Sequence, residues 1–190
     1  MMRSALISDC GRFRYTLSRR WTGDRDRPCL PGLGGEGRST LNRVCFIGLN
    51  PSTADGTEDD ATVRRWIGYA TAWGYTGFDV VNLFAWRATQ PKELLTVEDP
   101  VGPRNDYWIG ECARRAKLVV CCWGSLTDKP PVAQTRVAEV YRQLKQADRV
   151  AYALKLTQDK QPAHVLRLRR TLRPVPLTSL PRPPFSSRQW

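Results

Sequence analysis

The alternation of short apolar runs with amphipathic segments most narrowly limits what this chain can fold into. The apolar runs with the length of buried strands are Val44–Leu49, Phe78–Phe84, Leu118–Trp123 and Arg149–Leu156. An amphipathic segment with helical spacing follows each of the first three runs. Strands that alternate with helices are joined by crossovers and pair in parallel. A further segment, Phe13–Trp21, alternates apolar and polar residues with Phe13, Tyr15 and Leu17 on one face, as an edge strand does. The sequence therefore predicts an α/β fold, a three-layer α/β/α sandwich with a mostly parallel four-stranded central sheet and an N-terminal edge strand.

Capping residues mark the ends of the predicted helices. Asp59 or Asp60 is suited to cap the first helix, because a short carboxylate accepts a hydrogen bond from a free N–H group of the first turn. Gly74 predicts its end. The second helix is expected within Gly102–Arg115, where it opens on Asn105 or Asp106, and the third is expected over Val132–Gln146.

We expect one α/β domain over residues 1–172. Within it, residues 22–42 are rich in Gly and Pro and predict a flexible loop. Residues 173–190 contain five Pro and three Arg and predict an extended or disordered tail. No apolar run approaches the roughly 18 residues of a membrane span, and the N-terminal apolar patch is too short for a signal peptide. We therefore expect no membrane partner and a cytoplasmic protein.

The net charge of +12 is concentrated at the two ends of the chain. Residues 1–43 carry nine Arg against four acids, and residues 164–190 carry six Arg and no acid. Basic ends of this kind can contact phosphates, which makes DNA or a nucleotide a candidate partner. Solvated arginine-rich termini without such a partner are the alternative interpretation.

Metal-ligand residues are scarce and show no ligand spacing. The six Cys form no CxxC pair, and the chain has one His. A zinc or iron–sulfur site would have few ligands, so we expect no metal and no cofactor. The cysteines are interpreted as reduced residues of the core.

Polar residues collect where the predicted strands end. In an open α/β sheet, ligands bind outside the carboxyl ends of the strands, so these residues are expected to converge on one site. They are Asn50, Pro51, Ser52, Thr53 and Asp55 after the first strand, Asn82 and Arg87 around the end of the second, Gly124 and Ser125 after the third, and His164 after the fourth.

Structural interpretations of the same residues stay open. Asn50-Pro51 can simply end a strand, since Pro restricts the preceding residue to extended conformations, and the residues after it suit a turn or a helix cap. Asn82 is harder to explain in this way, because a buried amide without partners costs about 1–3 kcal/mol. The chain has no GxSxG, GxxxxGK[ST] or GxGxxG motif, so acyl transfer, a P-loop and a dinucleotide site are not indicated.

Six segments resemble a bacterial and phage family catalogued as domain of unknown function 1643. They are FRYTLSRRW, FIGLNPSTAD, DDATVRRWIGYATAWGY, VVNLFAWRAT, DPVGPRND and VVCCWGS, and the resemblance covers residues 13–168. The order of motifs is also similar, more distantly, to the uracil-DNA glycosylase superfamily. That order is a strand followed by Leu-Asn-Pro, a strand ending in Asn, an apolar strand ending in Trp-Gly, and a late His.

The distant resemblance implies a uracil-DNA glycosylase-like fold and roles for three residues. Asn50 would position the attacking water, Asn82 would read the base and His164 would stabilise the departing base, while the neighbouring residues of the same edge would bind substrate. This implies a glycosylase-like hydrolase that processes a base or nucleotide at its N-glycosidic bond. Two alternatives stay open: a non-catalytic module that binds nucleic acid or nucleotide, and a protein that docks another chain through an exposed Trp-rich face.

Overall fold

The structure, a computed structural model, describes residues 1–21, 41–52, 58–90, 93–94, 96–127, 129 and 131–179. The strands are β1 (Met2–Ile7), β2 (Arg14–Arg20), β3 (Leu41–Gly48), β4 (Gly77–Asn82), β5 (Ala116–Cys121), β6 (Ala151–Ala153) and β7 (Val175–Pro176). The helices are α1 (Ala61–Ala72), α2 (Asn105–Arg115) and α3 (Val132–Gln146), with short 3-10 helices at Val165–Arg167 and Leu177–Ser179.

The seven strands belong to one mixed sheet with the order β1-β2-β4-β3-β5-β6-β7. The pairs β3–β4, β3–β5 and β5–β6 are parallel, because crossovers through the helices return the chain to the same end of the sheet. The pairs β1–β2, β2–β4 and β6–β7 are antiparallel. The α/β class is therefore confirmed. The expected sheet of four strands plus one edge strand is wrong, since β1 and β7 extend it at both edges.

Strand β2 is internal, not the edge strand that the sequence predicts. It pairs with β1 on one side and β4 on the other, and all seven of its residues are buried. Its register with β1 skips Tyr15, which is the extra residue of a β-bulge. The bulge interrupts the alternation, so Tyr15 and Leu17 lie in different core clusters, not on one face.

Helices cover both faces of the sheet. Val44 and Phe46 of β3 belong to the core cluster under α1, and Cys45 and Ile47 belong to the cluster under α2 and α3. Because successive strand residues point to opposite faces, the two clusters lie on opposite sides of the sheet. The sheet is thereby buried between helices, and its polar ends are where a site can form.

The ends of the helices follow local sequence signals. Asp60 is the N-cap of α1, and Oδ1 of its side chain accepts a hydrogen bond from the Val63 N–H at 2.8 Å. Gly74 adopts a φ of 81° just after the helix, which a glycine tolerates. Helix α3 has the predicted bounds, and α2 begins at Asn105, as predicted, after a turn. Strand β6 is shorter than the predicted run of residues 149–156.

Two predicted irregular segments overlap the sheet. Of the predicted loop 22–42, residues 22–40 lie outside the described residues, and residues 41–42 belong to β3. Strand β7 lies within the predicted tail 173–190, so the sheet extends past the expected boundary at residue 172. Its Pro176 is tolerated because an edge strand can lack one backbone donor.

The cysteines and tryptophans differ in part from expectation. Cys10 is exposed, contrary to the core interpretation, whereas Cys45, Cys112, Cys121 and Cys122 are buried.

The six Trp that the structure describes are all buried or half-buried. The described part of the chain therefore does not present the exposed Trp-rich face that the docking alternative needs. None of its helices is both long and apolar enough to cross a membrane.

Candidate functional site

A cavity of about 380 Å³ lies at the sheet edge where β3, β4 and β5 end. Its volume falls within the range of small-molecule pockets. Six predicted site residues line it: Asn50, Ser52, Asn82, Gly124, Ser125 and His164. Lining residues that were not predicted as site residues include Arg14, Asp60, Trp66, Trp123 and Lys129.

The other four predicted site residues have different positions. Thr53 and Asp55 lie outside the described residues. Pro51 is buried and is not in the cavity lining, although its carbonyl oxygen accepts a hydrogen bond from Asn50. Arg87 is also absent from the lining and donates from Nη1 to the backbone of the N-terminal turn.

The side chain of Asn50 is held by two backbone carbonyls. Its Nδ2 donates to the carbonyl oxygen of Pro51 at 3.1 Å and to that of Ala88 at 2.9 Å. These two acceptors use both hydrogens of the amide, so its orientation is determined. Oδ1 is then the polar atom that Asn50 offers to a ligand. Asn50 supplies the cavity with a hydrogen-bond acceptor.

Asn82 ends β4 with its side chain in a space that Gly48 leaves open. The two residues are register partners, and a Cβ atom on Gly48 would lie 2.7 Å from Oδ1 of Asn82. The backbone behind Asn82 is also fixed. Nδ2 of buried Asn105 donates to the carbonyl oxygens of Asn82 at 3.0 Å and Leu83 at 3.1 Å. Nε of Arg136 donates to Leu83 as well, at 2.8 Å. The backbone that carries the Asn82 side chain is therefore held in place at the end of β4.

His164 reaches the cavity from a loop that is hydrogen-bonded to the residues just after β5. The N–H of Gly124 donates to the carbonyl oxygen of Pro162 at 2.8 Å, and Nε1 of Trp123 donates to Oε1 of Gln161 at 3.0 Å. Gly124 has a φ of 87°, and a Cβ atom there would lie 3.4 Å from the Cβ atom of His164. Glycine suits both the backbone conformation and the close approach.

The imidazole of His164 is set up as a hydrogen-bond donor. Its Nδ1 accepts a hydrogen bond from the Leu166 N–H at 3.5 Å, so the neutral ring carries its proton on Nε2. Burial lowers the pKa of His164, and the carboxylate of Asp60 offsets only part of this effect. The ring is therefore neutral at pH 7, with Nε2–H as its donor.

Asp159 organises the loop after β5 and engages Ser125. It accepts hydrogen bonds from the Leu126 N–H at 2.8 Å, from Oγ of Ser125 at 3.0 Å and from Oγ1 of Thr157. Burial works to raise the pKa of Asp159, but the hydrogen bonds outweigh it and lower the pKa. Because the Ser125 hydroxyl donates to this carboxylate, Ser125 shapes the wall of the cavity.

Arg14 and Asp60 are charged residues of the wall that were not predicted as parts of the site. Arg14 is only 3% exposed; loss of hydration lowers its pKa to about 10, and Asp60 acts in the opposite direction. Its position in an alternating strand pattern marks it as a surface residue, so the sequence carries no signal for this placement. Asp60 was predicted only as a cap, but its Oδ2 also accepts a hydrogen bond from Oγ of Ser52 at 3.1 Å. The signal in the sequence that could have identified Asp60 as a site residue is its place as a helix cap shortly after a polar turn.

Trp66 of α1 adds aromatic surface to the cavity. It is 5% exposed and stacks on Phe46 at 5.8 Å between ring centroids, and it also lines the cavity. The cavity thus combines two amides, two cations, one carboxylate, a neutral imidazole and aromatic surface. Within the described residues, no group of three or more His, Cys, Asp or Glu gathers where it could hold a metal ion.

The fold and the cavity define an α/β protein with a polar pocket at the carboxyl ends of its parallel strands. The chain belongs to the family described as "Protein of unknown function (DUF1643)", whose model matches residues 14–166. The family resemblance of the sequence segments is thereby confirmed. No curated protein and no solved structure matches the chain.

Proposed function

We propose that the cavity binds a nucleobase or nucleotide and that the protein hydrolyses an N-glycosidic bond. The observation that carries the proposal is that Asn50, Asn82 and His164 line one cavity. The motifs around these residues resemble the uracil-DNA glycosylase superfamily, in which such residues position water, read the base and stabilise the departing base. A glycosylase-like hydrolase is the activity that this combination supports best.

The donors and acceptors of the cavity suit both the attacking water and the departing base of such a reaction. Oδ1 of Asn50 can hold a water molecule by one of its hydrogens, which directs the water oxygen towards the sugar. Nε2–H of His164 can stabilise the negative charge that develops on the departing base. The Asn82 amide can pair with a base edge that presents one donor beside one acceptor.

Charge supports an anionic substrate. Arg14 and Lys129 line the cavity, and an arginine that is poorly hydrated gains from a phosphate nearby. The chain carries 30 Lys and Arg against 18 acids, and Arg64, Arg167 and Arg169 are exposed. We therefore propose that the base belongs to a nucleotide, either free or in DNA. A base in a duplex would have to be flipped out of the stack.

Base release from defined substrates tests the proposal. Oligonucleotides that carry uracil, hypoxanthine or a mismatch are incubated with the full chain, and abasic sites are then cleaved with alkali. Free deoxynucleoside monophosphates are assayed in parallel for released base. We expect product from at least one substrate and about 100- to 1,000-fold less product with Asn50→Ala or His164→Ala, by analogy with the loss of one transition-state hydrogen bond.

A matched control comes from the other end of β3. Asn42 is also an Asn at a strand terminus, but its Nδ2 donates to the carbonyl oxygen of Gly74 at 3.4 Å and it is not in the cavity lining. Asn42→Ala is therefore expected to keep wild-type activity. If none of the substrates yields product and Asn50→Ala matches the wild type throughout, the glycosylase proposal fails.

A non-catalytic module that binds nucleic acid or nucleotide is the second candidate function. The basic excess favours it, as does the departure at His164-Val165, where the resembled motif has His-Pro. Such a module would bind oligonucleotides without releasing base, and its affinity would fall steeply as salt is added, because bound phosphates release counterions. Affinity for DNA and RNA that is absent or independent of salt would rule out the nucleic-acid form of this function.

A further inference from the structure

Hydrolysis of an N-glycosidic bond requires a group that takes a proton from the attacking water, and Asn50 is unsuited to this. An amide oxygen accepts hydrogen bonds but is too weakly basic to hold a proton at neutral pH. In His164, Nδ1 accepts the Leu166 N–H, and Nε2 carries the ring proton. Arg14 and Lys129 are cations. The residues assigned so far therefore leave the reaction without a base.

Asp60 is the one carboxylate among the described residues that line the cavity. Both of its oxygens are positioned: Oδ1 accepts from the Val63 N–H at 2.8 Å, and Oδ2 accepts from Oγ of Ser52 at 3.1 Å. Each carboxylate oxygen has two lone-pair sites, so either can accept a further hydrogen bond. Ser52 follows Asn50 by two residues, which brings the carboxylate to the segment that carries the water-positioning amide.

The electrostatic surroundings of Asp60 belong to the same cavity. Burial lowers the pKa of Arg14 from β2 and of His164 from the loop before the 3-10 helix, and the charge of Asp60 offsets part of this lowering in both. Lys129 lines the same wall from the segment before α3. The neighbouring Asp59 is different, because it pairs with arginines of β1 and β2 at 3.1 and 2.7 Å. Among the described acids of this segment, Asp60 is therefore the one that faces the site.

We propose that Asp60 is the general base of the reaction, an inference that rests on the proposed function. The water oxygen bonds to the anomeric carbon, and the carbon–nitrogen bond breaks with its electron pair passing to the base nitrogen. A proton of the water passes to the Asp60 carboxylate and later to the departed base or to solvent. The products are the free base and a sugar with an anomeric hydroxyl. Asp60 thus acts both as the cap of α1 and as a catalytic residue.

Asp60→Asn separates these two roles. Asn caps a helix about as well as Asp, so the fold is preserved, but an amide does not take up the proton. The assay uses whichever of the uracil, hypoxanthine and mismatch oligonucleotides or free deoxynucleoside monophosphates the wild type processes, over a series of pH values. We expect an activity loss of about 100- to 10,000-fold, an unchanged thermal midpoint, and loss of the acid limb of the pH–rate profile.

Three further variants make the test specific. Glu58→Gln removes the same charge from an exposed residue of the same segment, and we expect wild-type activity. Asp60→Gly keeps a tolerable cap and creates space, so added formate is expected to restore part of its activity. Asp55→Asn tests a further acid of the same stretch of sequence, one that lies outside the described residues.

The outcomes separate the inference from the function on which it rests. Loss of activity in Asp60→Asn together with rescue of Asp60→Gly by formate supports the inference. A folded Asp60→Asn with the wild-type rate and pH profile, or an acid limb that disappears with Asp55→Asn instead, overturns it and leaves the proposed function intact. A wild-type protein that releases base from none of the oligonucleotides and from none of the free deoxynucleoside monophosphates removes both.

Discussion

A Cβ atom on Gly48 would lie 2.7 Å from Oδ1 of Asn82, a distance too short for two non-bonded atoms. The parallel register of β3 and β4 places the two residues side by side at the cavity. Gly48 therefore makes room for the amide, and Asn82 depends on a neighbour without a side chain. This contact leads to the first prediction.

Gly48→Ala is expected to fold but to displace the Asn82 amide. Overpacking of this kind costs about 1–3 kcal/mol, and both the unfolding free energy and base release should fall. Urea unfolding and the oligonucleotide assay measure the two effects. Gly68→Ala is the matched control, because a Cβ atom there meets nothing within 4 Å, and it should stabilise α1 by about 1 kcal/mol. Equal behaviour of the two variants would contradict the prediction.

Asn105→Ala is expected to lower both stability and activity. The variant removes the two hydrogen bonds that Nδ2 makes to the end of β4 and leaves buried carbonyl oxygens without them. The expected loss of unfolding free energy is about 1–3 kcal/mol, measured by urea unfolding. Activity falls with it because the backbone of Asn82 is released. Asn42→Ala removes only one exposed hydrogen bond of a side-chain amide, so it should change stability far less. An Asn105→Ala variant as stable as the wild type would show that Asn105 does not hold the end of β4 in place.

The stability of the protein should decrease as His164 becomes protonated. Burial holds the pKa of His164 below its usual value of 6.5, so the unfolded chain binds this proton at a higher pH than the folded chain does. Stability is therefore fully present above pH 6.5 and is lost as the pH falls through the folded pKa. His164→Gln should remove this component of the pH dependence.

Because the chain has one His, its titration can be followed directly by NMR. We expect a single imidazole that titrates below pH 6.5 and carries its neutral-state proton on Nε2. Titration at or above pH 6.5 would contradict the effect of burial on this imidazole. A neutral ring protonated at Nδ1 would contradict its hydrogen bond with the Leu166 N–H.

Asp79→Ala is expected to be strongly destabilising. Asp79 is 2% exposed, pairs with buried Arg43 at 3.4 Å and accepts a hydrogen bond from Ser18. Removal of one partner of a buried pair costs about 3–5 kcal/mol, since the other charge stays buried. Replacement of both by apolar residues, Arg43→Met with Asp79→Leu, should recover most of the loss in urea unfolding. Glu111→Ala breaks two more exposed ion pairs within α2, with Arg114 and Arg115, and should cost no more than about 1 kcal/mol.

The sequence by itself determined the α/β class and the approximate position of the central strands and of the helices. These features depend on local periodicity and capping, which is why α3 has its predicted bounds and Asp60 caps α1. The grouping of Asn50, Asn82 and Gly124 was also accessible, because parallel strands carry whatever follows them to the same edge of the sheet.

Only the tertiary structure decided the remaining features, because they depend on pairing between distant segments. The strand β1 and the two-residue β7 lack a strong pattern of their own and exist through their partners β2 and β6. The bulge at Tyr15 removes the alternation that the sequence suggests. Arg14 reaches the cavity because β2 runs antiparallel to β4, which brings the beginning of one strand next to the end of the other. Asp60 joins the site because the N-cap of α1 lies beside Ser52, which follows β3, and accepts a hydrogen bond from it.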